Sequence, residues 1–171
     1  MNRIFVSLGS NVGDRLAYLQ AAVDAIETLP RTRVSALSAV YITEPVGKSD
    51  QPDFLNLVAE LSSDLGAREL FSAFKEIEKR IGRTASERWG PREIDLDLLY
   101  YGDAVIEELD LRIPHPERAN RRFVLIPLVE IAPEVVDPVY HTVVQELLRR
   151  CPSSSAVQKT TLTIHRQHVE S

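Results

Sequence analysis

The order of strand-like and helix-like segments is the feature that most limits how this chain can fold. Alternating apolar residues predict strands over residues 3–8, 34–43, 54–61 and 94–101. Apolar residues at helical spacing follow the first and third strands, and they are Leu16, Leu19, Val23 and Ile26, then Leu70, Phe71, Phe74, Ile77 and Ile81. The order β-α-β-β-α-β is typical of the α+β class, as a ferredoxin-like sandwich with both helices on one face of an antiparallel sheet. The other face is then open for an active site.

Length and composition predict one soluble intracellular domain. The chain has 171 residues, of which 44% are hydrophobic and 26% are charged, and we predict a single domain over residues 1–152. Residues 153–171 are rich in Ser and Thr with little periodicity, so we predict a mobile or poorly packed tail. A single cysteine, Cys151, excludes a disulfide framework and a cysteine-based zinc site, which favours the cytoplasm.

Charge and hydropathy limit the partners of the chain. The net charge of -5 argues against a nucleic-acid binder that depends on a basic surface. The first residues contain an apolar run too short for a secretory signal. No apolar stretch approaches the ~20 residues that a membrane span needs, so we expect no membrane partner.

Two aspartates interrupt the strand predicted over residues 94–101. Positions i and i+2 of a strand share a face, so Asp95 and Asp97 point to the open face while Leu96 and Leu98 point to the helices. Neighbouring carboxylates repel unless a cation lies between them, and paired oxygen ligands suit magnesium beside substrate phosphates. Two solvated acids on an exposed strand explain the same spacing, so the metal hypothesis needs support from other residues.

Arginines cluster in the sequence around the acidic pair. The chain has 16 arginines and 4 lysines, and 8 of the arginines lie between positions 80 and 122. Because the arginine fork makes paired contacts to phosphate oxygens, we expect an anion site here, with about half of these arginines as ordinary surface residues. No G-x-x-x-x-G-K-[ST] motif is present, so side chains must bind the phosphates. Carboxylates and arginines together indicate phosphoryl transfer.

Aromatic and amide side chains flank these charges. Trp89 lies in a polar loop between a predicted helix and the acidic strand, which is typical of a lid over a substrate. Phe54 and Asn56 share a strand face and suit a flat heterocycle, although a half-buried phenylalanine and a surface asparagine explain the pair equally. His115 either binds phosphate or occupies a proline-rich turn.

One stretch carries a family resemblance. RWGPREIDLDLLYYG, residues 88–102, resembles the signature of the 6-hydroxymethyl-7,8-dihydropterin pyrophosphokinase family. Further matching motifs follow the family order within residues 2–140, namely GSN at 9–11, TEPVG at 43–47, DQPDFLN at 50–56, GR at 82–83, IPH at 113–115 and NRRF at 120–123. The resemblance implies a folate-pathway enzyme that moves pyrophosphate from ATP to a pterin alcohol and releases AMP.

The resemblance also implies roles for the matching residues. Asp95 and Asp97 would hold two magnesium ions between the ATP phosphates and the pterin hydroxymethyl group. The implied catalytic residues are Arg83, Arg92, Asp95 and Asp97. The implied ATP-binding residues are Glu78, Arg83, Arg92, Leu98, Ile113, His115 and Arg121. The implied pterin-binding residues are Thr43, Pro45, Val46, Phe54, Asn56, Trp89, Asp95 and Phe123.

The implied partners are ATP and the pterin, bound by a monomer that can associate with other enzymes of folate synthesis. The chain departs from the family pattern at Thr84, Ala85 and Ser86, where many members carry a further arginine, and its lid is one residue shorter. Pro116 stands where an aromatic residue is often found.

Two other function classes remain open from the residues alone. A ferredoxin-like RNA-binding or ligand-sensing module has the same element order, but the first strand lacks an exposed aromatic pair and the chain is acidic. A metal-dependent nuclease or phosphatase can use the same aspartates, and it would hydrolyse its substrate without a pterin acceptor.

Overall fold

The computed structural model describes residues 2–44, 52–82 and 93–166 as a mixed α/β chain. The strands are β1 (Asn2–Ser10), β2 (Thr32–Leu37), β3 (Tyr41–Thr43), β4 (Phe54–Ser63), β5 (Asp95–Tyr101), β6 (Ile106–Glu107), β7 (Arg112–Ile113), β8 (Val136–Asp137), β9 (Thr142–Val143) and β10 (Val157–Lys159). The helices are α1 (Arg15–Glu27), α2 (Ala67–Ile81), α3 (Arg122–Ile131) and α4 (Val144–Arg150). No helix in these ranges is long and apolar enough to cross a membrane.

A six-stranded antiparallel sheet forms the centre of the molecule. Neighbouring strands run in the order β10-β3-β4-β1-β5, and β2 also pairs with β4. β1 lies between β4 and β5 and is antiparallel to both. These three central strands correspond to the segments predicted over residues 3–8, 54–61 and 94–101, so that part of the sequence prediction is confirmed.

The segment predicted as one strand over residues 34–43 forms two strands. β2 pairs with the second half of β4, and β3 pairs with the first half. Between them, Ser38 N donates to Val58 O at 2.9 Å, and the Ser38 hydroxyl accepts from Val58 N at 2.9 Å. A serine side chain thus replaces a backbone hydrogen-bond partner where the chain bends. The alternation of apolar residues in the sequence does not predict such a replacement.

Helices α1 and α2 cover one face of the sheet, as predicted. The central strands send alternate side chains to this face, and they are Ile4, Val6, Leu8, Leu55, Leu57, Ala59, Leu61, Leu96 and Leu98. The predicted helix stripes meet them through Leu19, Val23 and Ile26 of α1 and Leu70, Phe74 and Ile77 of α2. Asp14 caps α1 by accepting a hydrogen bond from Ala17 N at 3.2 Å. Removing this apolar surface from water is the main stabilising contribution to the fold.

The second face of the sheet is not fully open, which corrects the sequence prediction. Helices α3 and α4 pack over the part of this face that holds Phe5, Val58 and Tyr100, which we name the covered half. The Phe5 and Tyr100 rings meet edge to face with centroids 6.5 Å apart. The remainder, toward the C-terminal end of β1, is the open half. Apolar residues after position 122 are visible in the sequence, but periodicity does not tell which surface a helix will cover.

The C-terminal segment packs against the sheet, whereas the sequence suggested a mobile or poorly packed tail. β10 pairs with β3 at the sheet edge, with Val157 opposite Thr43. Farther along, Gln20 Nε2 donates to His165 O at 2.7 Å, and His165 N donates to Gln20 Oε1 at 2.9 Å. Backbone and amide hydrogen bonds hold residues 157–166, and such bonds need no apolar periodicity.

Candidate active site

Asp95 and Asp97 open onto a cleft in the open half of the sheet. Alternation along β5 points both side chains away from α1 and α2, as the sequence predicted. The cleft has a volume of about 600 Å³. Its floor comes from neighbouring strands, which contribute Ser7, Gly9, Thr43, Phe54 and Asn56 besides the two aspartates. A cleft of this size, lined by apolar and charged side chains together, suits small-molecule substrates.

Three neighbouring strands place Asp95, Gly9 and Asn56 side by side. Gly9 of β1 lies opposite Asp95 of β5 on one side and opposite Asn56 of β4 on the other. Two strand spacings, roughly 10 Å, therefore separate the carboxylate position from the amide position. A Cβ atom on residue 9 would lie 2.8 Å from Asn56 Oδ1, so glycine leaves room for the amide. We name the two sides of this row the acidic end and the amide end.

The amide end combines a fixed amide with two phenylalanines. Asn56 is 2% exposed and donates from Nδ2 to Thr43 Oγ1 at 2.9 Å. That bond fixes the orientation of the amide and leaves its oxygen on the Gly9 side. Phe54 of β4 and Phe123 of α3 line the same cleft, so aromatic side chains frame the space beside the amide. This arrangement suits a flat heterocycle with polar edges.

Arg121 lines the cleft near its acidic end, whereas His115 is not a lining residue but lies close enough to interact with the Asp97 charge. Arg121 Nη1 is 3.7 Å from Asp97 Oδ2, and its guanidinium is 5.7 Å from the centre of the Phe123 ring. Burial lowers the pKa of His115, with the Asp97 charge acting upward and the Arg121 charge acting downward. His115 Nδ1 accepts a hydrogen bond from Glu117 N at 3.1 Å. The neutral imidazole therefore carries its hydrogen on Nε2, available to an oxygen acceptor.

Arg118 serves the structure and does not line the cleft. Its side chain is 4% exposed and pairs with the fully buried Asp137, with Nε–Oδ2 at 2.5 Å and Nη2–Oδ1 at 3.0 Å. Arg118 Nη1 also donates to His115 O at 2.8 Å, and the Tyr100 hydroxyl donates to Asp137 Oδ2 at 2.5 Å. Burial alone would raise the pKa of Asp137, but these hydrogen bonds lower it to about 2. The network fixes the turn that carries His115.

Three predicted ATP-binding residues lie away from the cleft. The Leu98 and Ile113 side chains are 5% and 1% exposed and pack in the core under α1 and α2. Glu78 accepts a hydrogen bond from Leu96 N at 2.7 Å and pairs with Lys75 at 3.2 Å. The structure therefore does not bring these three side chains together with Asp95, Asn56 or Arg121. Glu78 instead ties α2 to β5, the strand that carries both aspartates.

Five further predicted site residues fall outside the described ranges. They are Pro45, Val46, Arg83, Trp89 and Arg92. Glu44, the described residue next to the first of these segments, lines the cleft. The roles of the five residues rest on their motifs.

Several cleft residues were not predicted. They are Ser7, Gly9, Glu44, Glu117, Asn120, Ser153 and Ser155. Two signals point to part of this set. Gly9, Glu44 and Asn120 belong to the GSN, TEPVG and NRRF motifs, and Ser7 shares the strand face of Gly9. Nothing in the sequence marks Ser153 and Ser155, since their place in the cleft depends on the pairing of β10 with β3.

Comparison with protein families decides to which family the chain belongs. The family model described as 7,8-dihydro-6-hydroxymethylpterin-pyrophosphokinase (HPPK) matches residues 5–133. The chain belongs to the HPPK family. Its reaction is therefore the transfer of pyrophosphate from ATP to hydroxymethyldihydropterin in folate synthesis, as the motifs implied. The matched range contains every predicted site residue, from Thr43 to Phe123.

Relatives of this HPPK chain cover most of its length. The 2-amino-4-hydroxy-6-hydroxymethyldihydropteridine pyrophosphokinase of Pseudomonas aeruginosa is 42% identical over 152 residues, which are 89% of this chain and 93% of that protein. The protein of the same name from Bacillus subtilis is 43% identical over 136 residues, 79% of this chain and 81% of that one.

A solved structure shows the same fold in a longer protein. The crystal structure of wild-type HPPK-DHPS from Plasmodium falciparum with STZ-DHP matches with a TM-score of 0.71 and 15% sequence identity. The match covers 87% of this chain and 43% of that chain. This HPPK chain thus spans less than half of the Plasmodium protein.

The acidic end of this HPPK cleft fits a hard cation. Asp95 and Asp97 offer carboxylate oxygens to one cleft from alternate positions of one strand, and the Asp97 side chain is 38% exposed. Within the described ranges, no three His, Cys, Asp or Glu side chains lie close enough together to hold a metal ion. A donor set of two carboxylates suits magnesium, which commonly takes one or two protein carboxylates together with substrate phosphates.

Proposed function

We propose that the cleft holds the ATP phosphates at the acidic end and the pterin at the amide end during pyrophosphate transfer. The observation that carries this proposal is the row Asp95, Gly9 and Asn56, which places a carboxylate and an amide roughly two strand spacings apart on one floor. The pterin hydroxymethyl oxygen forms a bond to the β-phosphorus of ATP. The bond from that phosphorus to the bridging oxygen of the α-phosphate breaks, and AMP leaves.

The amide end selects and orients the pterin. Phe54 and Phe123 stack on the ring system, and Asn56 binds its amide edge. On motif grounds, the Thr43–Val46 backbone binds the same edge. The bond from Asn56 to Thr43 supports this role, because it holds the amide in one orientation before the substrate arrives. An amide side chain that is already oriented loses little conformational entropy when the substrate binds.

Asp95 and Asp97 hold the magnesium that the family motifs imply, with two ions as the proposed number. The chemistry that bound magnesium supplies is neutralisation of phosphate charge and a lowered pKa of the attacking alcohol. The aspartates would hold this metal, and a carboxylate or a water molecule takes the alcohol proton. Both carboxylates line the cleft, with Asp95 opposite Gly9 and Asp97 opposite Ser7, which supports this assignment.

The positive side chains stabilise charge on the phosphates. Arg121 binds phosphate oxygens, and neutral His115 donates to them from Nε2. Their positions near Asp97 support this assignment. On motif grounds, Arg83 and Arg92 neutralise the transferred group and Trp89 closes over the substrates. These hydrogen-bond donors are then already in place to stabilise the negative charge that develops on the phosphoryl oxygens.

We assign the architecture to the ferredoxin-like class, and we place the chain in the cytoplasm as a monomer with small-molecule substrates. The antiparallel order β5-β1-β4 with β2 and β3 beyond it supports the fold assignment. The single cysteine supports a reducing compartment. Light scattering on the purified chain tests the oligomeric state.

The Asp97→Asn variant tests the acidic end. We expect kcat to fall at least about a hundredfold, because a lost metal ligand removes transition-state stabilisation of a few kcal/mol. Binding of Mn²⁺ in the presence of a non-hydrolysable ATP analogue, followed by electron paramagnetic resonance, should weaken in parallel.

Asp103→Asn is the matched control, since Asp103 is an exposed carboxylate in the turn after β5. We expect it to keep wild-type turnover and Mn²⁺ binding. Near-normal turnover of Asp97→Asn with ATP and magnesium would contradict the proposed role of the pair.

A further inference from the structure

We infer that the segment before β10 is part of the pterin site. In this proposal Ser155 contacts the pterin, and Ser153 orients the Ser155 side chain. This inference rests on the proposed function, because it takes the amide end as the pterin end. Both serines lie beyond residues 5–133, the range that matches the HPPK family model. They therefore extend the site into a part of the chain to which the motifs give no role.

The strand order sets the side of the cleft to which the serines belong. β5, with Asp95 and Asp97, is one edge of the sheet path, and β10 is the opposite edge. Ser153 and Ser155 immediately precede β10 and line the same cleft as the aspartates. The cleft thus crosses the width of the sheet, and the serines stand at the end away from the acidic pair.

The exposure pattern shows an extended segment with one side toward the cleft. Ser153, Ser155 and Val157 are half-buried, whereas the alternating residues are exposed, and they are Pro152, Ser154 and Ala156. A period of two is expected for an extended chain lying against a surface. Val157 continues the pattern into β10, where it pairs with Thr43 of the amide end.

The two hydroxyls have different hydrogen-bonding states. Ser153 Oγ donates to Ser155 Oγ at 3.2 Å and accepts from Ser155 N at 3.3 Å. Ser153 is therefore committed locally both as donor and as acceptor. In the part of the chain that the structure describes, the Ser155 hydroxyl donates to no acceptor. Its hydrogen is available to a ligand, and a pterin offers ring nitrogens and a carbonyl oxygen as acceptors.

The same segment also stabilises β3, the strand whose Thr43 contacts Asn56. Thr160 donates to Val40 O from its backbone N at 2.9 Å and from its hydroxyl at 2.8 Å. These bonds extend the β10–β3 pairing, and Thr43 of β3 accepts the bond from Asn56. The C-terminal segment therefore acts on pterin recognition directly through Ser155 and indirectly through Thr43.

Two substitutions in the full chain test the direct contact. Ser155→Ala removes the hydroxyl, and we expect KM for the pterin to rise about fivefold, as for a neutral hydrogen bond. Ser155→Val adds bulk toward the cleft and keeps strand propensity, so we expect a larger rise, at least about twentyfold. We expect kcat and KM for ATP to stay within about twofold in both variants, because Ser155 lies away from the acidic end.

Thr161→Ala and Thr163→Ala are the matched controls, since both threonines are exposed on the same segment and do not line the cleft. We expect wild-type kinetics from both. An unchanged KM for the pterin in Ser155→Val would overturn the inference. Equal rises in KM for ATP and for the pterin, with a lower Tm, would assign Ser155 a structural role and would also overturn it.

Asn56→Ala, assayed in parallel, separates this inference from the proposed function. If Asn56→Ala leaves KM for the pterin unchanged, the assignment of the amide end fails, and the inference fails with it. If Asn56→Ala raises KM for the pterin and Ser155→Val does not, only the role of the C-terminal segment fails.

Discussion

The covered half and the open half of the sheet use the same strands for different purposes. In the covered half, Phe5, Val58 and Tyr100 pack beneath α3 and α4. In the open half, Ser7 and Asn56 line the cleft. The residues differ by two positions along β1 and β4, so their side chains point the same way. The C-terminal helices therefore decide which half packs in the core and which half lines the cleft.

The polar groups of the two halves differ in how fully the protein itself satisfies them. Beneath the covering segments, Asp137 accepts bonds from Arg118, from the Tyr100 hydroxyl and from two backbone N–H groups. In the cleft, Arg121 and Asp97 approach only to 3.7 Å, and both side chains are more than a third exposed. A fully paired network fixes structure, whereas loosely paired charges remain available to a ligand.

The largest expected effect is the loss of the buried ion pair beside the covered half. Arg118→Met leaves the Asp137 carboxylate buried without its main partner, so we expect the free energy of unfolding to fall by about 3–5 kcal/mol. Urea denaturation followed by circular dichroism measures this change.

Arg149→Met is the control for that measurement. Arg149 pairs with Glu146 on the surface of α4, with 70% of its side chain exposed. We expect no measurable change in the free energy of unfolding there, since exposed pairs contribute little. A loss of similar size in both variants would contradict the structural role of Arg118.

A matched pair on one strand gives the next largest effect. Val58→Ala should lower the free energy of unfolding by about 2 kcal/mol, because it opens a cavity in the covered half. Its kcat/KM per folded molecule should remain within about twofold of wild type. Asn56→Ala, two residues away, should raise KM for the pterin at least about tenfold with a smaller loss of stability. Denaturation and steady-state kinetics on both variants check this, and the same response from both would erase the distinction between the halves.

The smallest expected effect is the pH dependence of the unfolding free energy that Asp137 contributes. The pKa of Asp137 is lowered to about 2 in the folded chain, against ~3.9 when unfolded. The folded state therefore favours the ionised carboxylate of Asp137. The stability that this carboxylate contributes is fully present above the unfolded pKa and is lost as the pH falls through the folded pKa. We expect the difference in unfolding free energy between wild type and Asp137→Asn to shrink by about 1 kcal/mol from pH 5 to pH 3. A difference that stays constant over this range would contradict the assignment.

Strand alternation was enough to predict the strand faces of Asn56, Asp95 and Asp97, but it did not identify Ser7 and Gly9 of the cleft floor. The period of two in β4 and β5 places Asn56, Asp95 and Asp97 away from the helices, and the register confirms their common face. The motifs then indicated the reaction and the family. Local patterns were sufficient here because a strand fixes side-chain direction without reference to the rest of the fold.

Arginine clustering was a weaker guide, because position in the sequence does not reveal a distant partner. Arg121 does line the cleft. Arg118 does not, because it pairs with Asp137, which lies 19 residues farther along the chain. The covered half and the cleft contribution of Ser155 were missed for the same reason. Each depends on tertiary contacts of α3, α4 and β10 that leave no periodic signal.

Product analysis with wild-type protein tests the central claim most directly, namely that the chain transfers pyrophosphate from ATP to the pterin. Phosphorus NMR would follow ATP and magnesium with and without 6-hydroxymethyl-7,8-dihydropterin. The predicted result is AMP formed only with the pterin, in a one-to-one ratio with a pterin diphosphate. Formation of ADP, or of AMP without the pterin, would contradict the account.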